Sequence, residues 1–280
     1  MLLLPASRCP RCLGAGLVRW WKGTDSPSAG ALSALALLGH PAGAGLFQQV
    51  IMQSIPAGVQ PYEPREAAEI GRRLLDVLDL RTEEAERLRA KEAGGLRTEE
   101  AEQLRAEEAE LLRTVAVSQL LAAQGELARR MAAPLTMTPP FQLVADGGVP
   151  ADLLADAPGD MPVLIGTTRD EARSFFPEAP ADVTDRFFGA GSLRLARQAR
   201  LAFAYRFDWS PPGSAFGACH CIELPFVFGD LDAWRAAPML AGADPADLGQ
   251  LVDEVQHAWA GFVHAGSPGW SPYPHVRHFT

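Results

Sequence analysis

Between Ser26 and Tyr62 the chain carries no charged residue. A stretch of that kind has to be buried, in protein or in lipid. Gly39, Pro41, Gly43 and Gly45 interrupt it, whereas a membrane span needs about 20 continuous apolar residues. The stretch is therefore expected to form internal elements of a folded core. Ala29 to Leu38 is small and apolar with no polar face, which suits a helix buried on all sides. Phe47 to Ser54 (FQQVIMQS) suits a short strand.

The rest of the chain can supply a core around these elements. With 280 residues and 48% hydrophobic content it is long enough for one large or two medium domains. A net charge of −9 argues against non-specific binding to nucleic acid or to an anionic membrane surface. Four cysteines make no disulfide framework and are consistent with a reducing compartment. The opening Met1-Leu2-Leu3-Leu4-Pro5 lacks a basic region and its apolar run is too short for a signal peptide. With no transmembrane segment either, a cytoplasmic location is expected.

Pro64 to Leu80 has apolar residues at helical spacing, at Ala67, Ile70, Leu74, Leu75 and Leu78. An internal repeat follows over residues 80–113. Leu80, Leu88, Leu96, Leu104 and Leu112 recur every eight residues, within units such as LRTEEAER and LRTEEAEQ. At about 100° per residue, eight residues overshoot two turns by about 80°. These leucines spiral around a helix and make no heptad seam. With ten acidic and seven basic residues in 81–113, the repeat is expected to be an exposed helical insertion. A partner-binding helix is the alternative.

Pro162 to Thr168 (PVLIGTT) reads as a buried strand. Leu201 to Trp209 alternates and reads as another. Asp247 to Ala265 is an amphipathic helix, and Pro268 to Thr280 an aromatic, proline-rich tail. Strands alternating with helices predict an α/β fold, a central sheet flanked by helices. Residues 1–25 are irregular and receive no assignment, leaving 26–280 as the domain.

Three segments carry chemistry. Ser28 lies in Ser26-Pro27-Ser28-Ala29-Gly30, with small neighbours and an apolar helix directly after it. Glu171 follows the strand Pro162 to Thr168. His220 lies in Gly217-Ala218-Cys219-His220-Cys221, between two strand-like segments. A serine activated by a histidine, itself oriented by an acid, can open an ester. The order nucleophile, acid, histidine is that of the α/β-hydrolases. Other readings compete. Cys9 and Cys12 form a C-x-x-C, and Cys219 and Cys221 flank His220, so a zinc site is conceivable, although the second pair lacks the usual spacing. A redox role for Cys9 and Cys12 lacks a βαβ context. His257 and His264 fall on a solvated helix face. No phosphate-binding or dinucleotide glycine motif is present.

The same segments resemble the type-B carboxylesterases. Ser28-Ala29-Gly30-Ala31 with Val50-Ile51-Met52-Gln53-Ser54 resembles the nucleophile elbow, its helix and the next strand. Pro162 to Glu171 resembles the segment of the triad acid. Gly217 to Gly229 resembles the histidine loop. The resemblance covers most of residues 28–280. It implies a partial α/β-hydrolase fold corresponding to the C-terminal part of the family domain, without the N-terminal half and its glycine-rich oxyanion loop. It implies a Ser28, Glu171, His220 triad acting on a small-molecule ester, with the backbone N–H of Ala29 as oxyanion donor and no metal or organic cofactor. A truncated relative with little turnover is the first alternative, and an interaction protein using the repeat the second. A protein partner is not indicated.

Overall fold

A computed structural model of the chain describes residues 28–43, 45–80, 106, 108–155, 159 and 161–280. The irregular segment 1–25, with Cys9 and Cys12, and residues 81–105 of the repeat lie outside the described residues. The described residues divide into two compact units, one within residues 28–60 and 148–280, the other within residues 61–80 and 106–147.

The first unit is built on a four-stranded parallel sheet in the order β1-β2-β3-β4. Its strands are β1 (Val50–Gln53), β2 (Pro162–Thr168), β3 (Leu201–Phe207) and β4 (Val276–Phe279). β2 occupies the span its apolar run predicts, and six of its seven residues are buried. Both faces of a parallel sheet are covered, so its strands read as continuous apolar runs. The same rule corrects the reading of β3 as an alternating strand, since five of its seven residues are buried, four of them consecutive. Gly166 of β2 lies against Tyr205 of β3, where an added Cβ would sit 2.3 Å from the Tyr205 carbonyl oxygen.

Helix α1 (Ala29–Gly39) buries Ala31, Leu32, Ala34, Leu35 and Ala36. It is not buried all round, because Ser33 and Leu37 face solvent. The Ser33 hydroxyl is satisfied locally on the Ala29 carbonyl oxygen (2.9 Å), so the exposed side needs no charged residue. A large core packs Phe203, Phe207, Phe226, Val255, Trp259, Phe262 and Phe279 together, each aromatic contributing about 1.5–3 kcal/mol on burial. β4 lies within the segment that reads in the sequence as an aromatic, proline-rich tail, with no strand assigned. Phe279 anchors it, with ring contacts to Tyr205, Phe207, Trp259 and Trp270.

In the second unit, α2 (Pro64–Val77) and α3 (Val117–Met131) enclose a core of Tyr62, Ile70, Leu74, Ala123 and Leu127. Proline at its first position starts α2. Residues 108–114 are helical, and Leu112 of the repeat packs against this core, so the end of the repeat is not wholly a wet surface.

Candidate active site

The carboxyl ends of parallel strands are where open α/β sheets place their sites, and the described site residues collect there. β2 ends at Thr168, and Glu171 begins the 3₁₀ turn that follows. The Glu171 side chain is fully buried. One of its oxygens accepts the Thr168 backbone N–H at 2.7 Å. The other lies 2.5 Å from Nδ1 of His220. Both oxygens of a buried carboxylate are thereby satisfied, and the imidazole is held by Nδ1 so that Nε2 is left for chemistry.

The histidine loop is tied to the acid turn by a backbone clamp. The Asp170 N–H donates to the Ala218 carbonyl oxygen at 2.8 Å, and the Asp170 carboxylate accepts the Ala218 N–H at 2.9 Å. Gly217 adopts φ +59°, and an added Cβ would sit 2.4 Å from that carboxylate, so the close approach requires glycine. The segment after His220 is helix α4 (Leu224–Phe228), where the sequence suggested a strand. Pro225 in its first turn and Gly229 in the left-handed conformation at its end account for the difference. Phe175 and Phe188 flank the imidazole, each with ring centroids 5.3 Å away. Phe188 is delivered by a π-helical turn, Asp185–Gly189.

Burial disfavours a charged imidazolium at His220. Hydrogen bonds from the imidazolium to Cys221 and to Glu171, with the charge of Glu171, outweigh it and raise the pKa of His220 well above the ordinary histidine value. His220 is thus a strong base once its proton has left. Cys221 itself stands at φ +70°, a strained conformation for a residue with a side chain.

Ser28 directly precedes α1 and has φ +67°, the sharp, strained backbone that a nucleophile turn requires. Its N–H donates to the Gln53 carbonyl oxygen at 3.1 Å, which ties the turn to the end of β1. Ala29 is the first residue of α1, where a backbone N–H has no partner within the helix. The geometry joins Glu171 to His220. Among the described residues it gives no hydrogen bond between the Ser28 hydroxyl and His220.

A second buried acid lies within the histidine-loop segment, where the sequence gives it no role. Glu223 is fully buried, and one of its oxygens accepts from the Gln53 side-chain N–H at 3.1 Å. The other oxygen has no partner. Burial and the nearby Glu171 push the Glu223 carboxyl up from its usual range. Cys219 and Cys221 are free thiols. Among the described residues no group of three or more His, Cys, Asp or Glu is placed to hold a metal ion. His257 and His264 are exposed. Among the described residues no helix is long and apolar enough to cross a membrane.

No protein-family model matches the chain. A probable N-octanoylanthranilate hydrolase of Rhodococcus erythropolis is 28% identical, over 88% of this chain and 55% of its own length. The para-nitrobenzyl esterase of Bacillus subtilis is 30% identical, over 86% of this chain and 53% of its own. A solved para-nitrobenzyl esterase superposes with a TM-score of 0.67 at 27% identity, covering 91% of this chain and 57% of that one. The chain spans about half the length of the curated relatives it matches. Sequence and fold together make it a relative of the type-B carboxylesterases, built on the α/β-hydrolase plan.

Proposed function

We propose that the chain hydrolyses small-molecule carboxylic esters through Ser28, His220 and Glu171. The observation that carries this reading is the buried Glu171 holding His220 by Nδ1 at 2.5 Å, on the same sheet whose first strand holds the Ser28 turn. Ser28 attacks the ester carbonyl, and Nε2 of His220 takes its proton. Glu171 keeps the proton on Nδ1 and balances the imidazolium charge. The oxyanion meets the Ala29 N–H at the positive end of α1. His220 then returns its proton to the departing alcohol, and water repeats the sequence on the acyl-enzyme. No metal or organic cofactor enters these steps. A cytoplasmic location goes with this reading, and the free thiols of Cys219 and Cys221 are consistent with a reducing compartment.

A relative with little turnover is the second reading, favoured by the absence of a hydrogen bond from Ser28 to His220 among the described residues. An interaction role for the repeat rests on residues 81–105, outside the described residues. A fluorophosphonate probe separates these readings, because it labels an activated serine without requiring deacylation. Labelling lost in Ser28→Ala and strongly reduced in His220→Ala is the expected result. A folded chain that takes no label belongs to the second reading, and label persisting in Ser28→Ala means another nucleophile. Short-chain aryl esters are the expected substrates, since a good leaving group lowers the demand on a single backbone oxyanion donor.

A further inference from the structure

Gln53 makes three contacts that no other described residue combines. Its backbone carbonyl oxygen accepts the Ser28 N–H at 3.1 Å. Its side-chain N–H donates to Glu223 at 3.1 Å. Its side-chain oxygen accepts the Trp259 indole N–H at 3.1 Å. The side chains of Gln53, Glu223 and Trp259 are all buried. The indole can only donate, so it dictates that the amide oxygen faces Trp259 and the amide N–H faces Glu223. We infer that Gln53 is a positioning residue that couples the serine turn to the charge state of the buried acid beside the histidine loop. This inference rests on the esterase reading of Ser28 and His220.

Glu223 lies three residues after His220 at the start of α4. The groups facing it are Glu171 on the acid turn, His220 in its own loop and Tyr205 on β3, with Cys221 beside the imidazole. An ionised Glu223 favours the imidazolium, and the Gln53 amide favours the ionised Glu223. Removing that donor leaves Glu223 neutral over more of the pH range. The imidazolium then loses a favourable neighbour and His220 gives up its proton at lower pH. The transition state, in which His220 is protonated, loses the same support.

Gln53→Met keeps the length and removes both amide contacts. In histidine-labelled protein followed by NMR, the His220 titration midpoint falls by about 0.5–1 pH unit. In turnover of a short-chain aryl ester the plateau kcat falls about 3- to 10-fold, the rate equivalent of that shift. The KM stays within about twofold, and the rising limb of the pH profile moves to lower pH. Gln53→Glu is the second variant. Two facing carboxyls must share a proton to pair, so its activity approaches that of the parent below about pH 6 and falls away above about pH 8. A structural role alone changes stability but neither the midpoint nor the pH dependence. An unchanged His220 midpoint in folded Gln53→Met overturns the inference. So does a constant activity ratio of Gln53→Glu to parent across pH, which also serves if Gln53→Met does not fold. The NMR midpoint is read without turnover. A parent chain unlabelled by fluorophosphonate therefore overturns the esterase reading, while the midpoint still decides the role of Gln53.

Discussion

Glu171→Gln tests the acid with a change of one atom, and the structure sets the size of the effect. Glu171 must accept from two donors, the Thr168 N–H and the Nδ1–H of His220. Glutamine has a single oxygen. If that oxygen stays on Thr168, the amide N–H faces Nδ1, which then becomes the acceptor. The proton moves to Nε2, and the ring can no longer take the proton of Ser28. If the amide flips, the tautomer is preserved but the buried Thr168 N–H faces another donor. That costs about 1–3 kcal/mol. In either orientation the charge that balances the imidazolium is gone. A hydrogen bond to a charged group contributes about 1.5–3 kcal/mol. Adding the two for the flipped, competent form gives about 2.5–6 kcal/mol, a loss of about 10²–10⁴ in kcat/KM. The upper end matches the loss of about 10⁴ seen when the triad acid of a serine protease is replaced by its amide. The assay is kcat/KM on a short-chain aryl ester, with near-UV circular dichroism to confirm the fold. A folded Glu171→Gln within about tenfold of the parent would refute the argument, because neither cost would then be expressed.

The raised pKa of His220 has a consequence for pH. The base must be neutral to act, so the rising limb of kcat/KM is expected to have its midpoint above about 6.5; a midpoint at or below that value in steady-state kinetics contradicts the buried pairing with Glu171. The same shift links to stability, with His220 stabilising the fold fully below about pH 6.5 and losing that contribution as pH rises through its raised folded value. Gly166→Ala presses a methyl against the Tyr205 carbonyl oxygen and ring, and is expected to destabilise by about 1–3 kcal/mol. A urea-unfolding midpoint unchanged from the parent would show that β2 and β3 can part to admit it.

The elements legible in the chain were those whose burial leaves a local signature. β2 is bounded correctly because the compact apolar run Pro162 to Ile165 continues through Gly166-Thr167-Thr168 and stops at the charged Arg169-Asp170. α1 follows from its run of small apolar residues, and α2 from its helical spacing. The elements missed or misread lack such a signature. β4 is four residues long with an arginine and a histidine among them, and becomes a strand only because β3 offers it a parallel edge and Phe279 a core. α3 drew no assignment, and the helical start of Leu224 to Phe228 resembled a strand because an apolar run that short carries no period. In the site, the segments around Glu171 and His220 point to a pairing that the structure brings together at 2.5 Å, whereas Gln53 and Glu223 stand within the resembling segments with no role of their own legible. Gln53 sits 170 residues from Glu223 and 206 from Trp259 along the chain.

The amino-acid order alone determined which segments are buried, that strands alternate with helices, and the sequence of serine, acid and histidine along the chain. These are properties of local composition and spacing, and they survive without knowledge of what packs where. The tertiary structure decided which oxygen of Glu171 serves Thr168 and which serves His220, that Asp170 clamps the histidine loop, and that Gln53 ties the Ser28 turn to Glu223 and Trp259. Each depends on hydrogen-bond direction and on distances of about 3 Å between residues far apart in the chain, and only the packed sheet brings those atoms together.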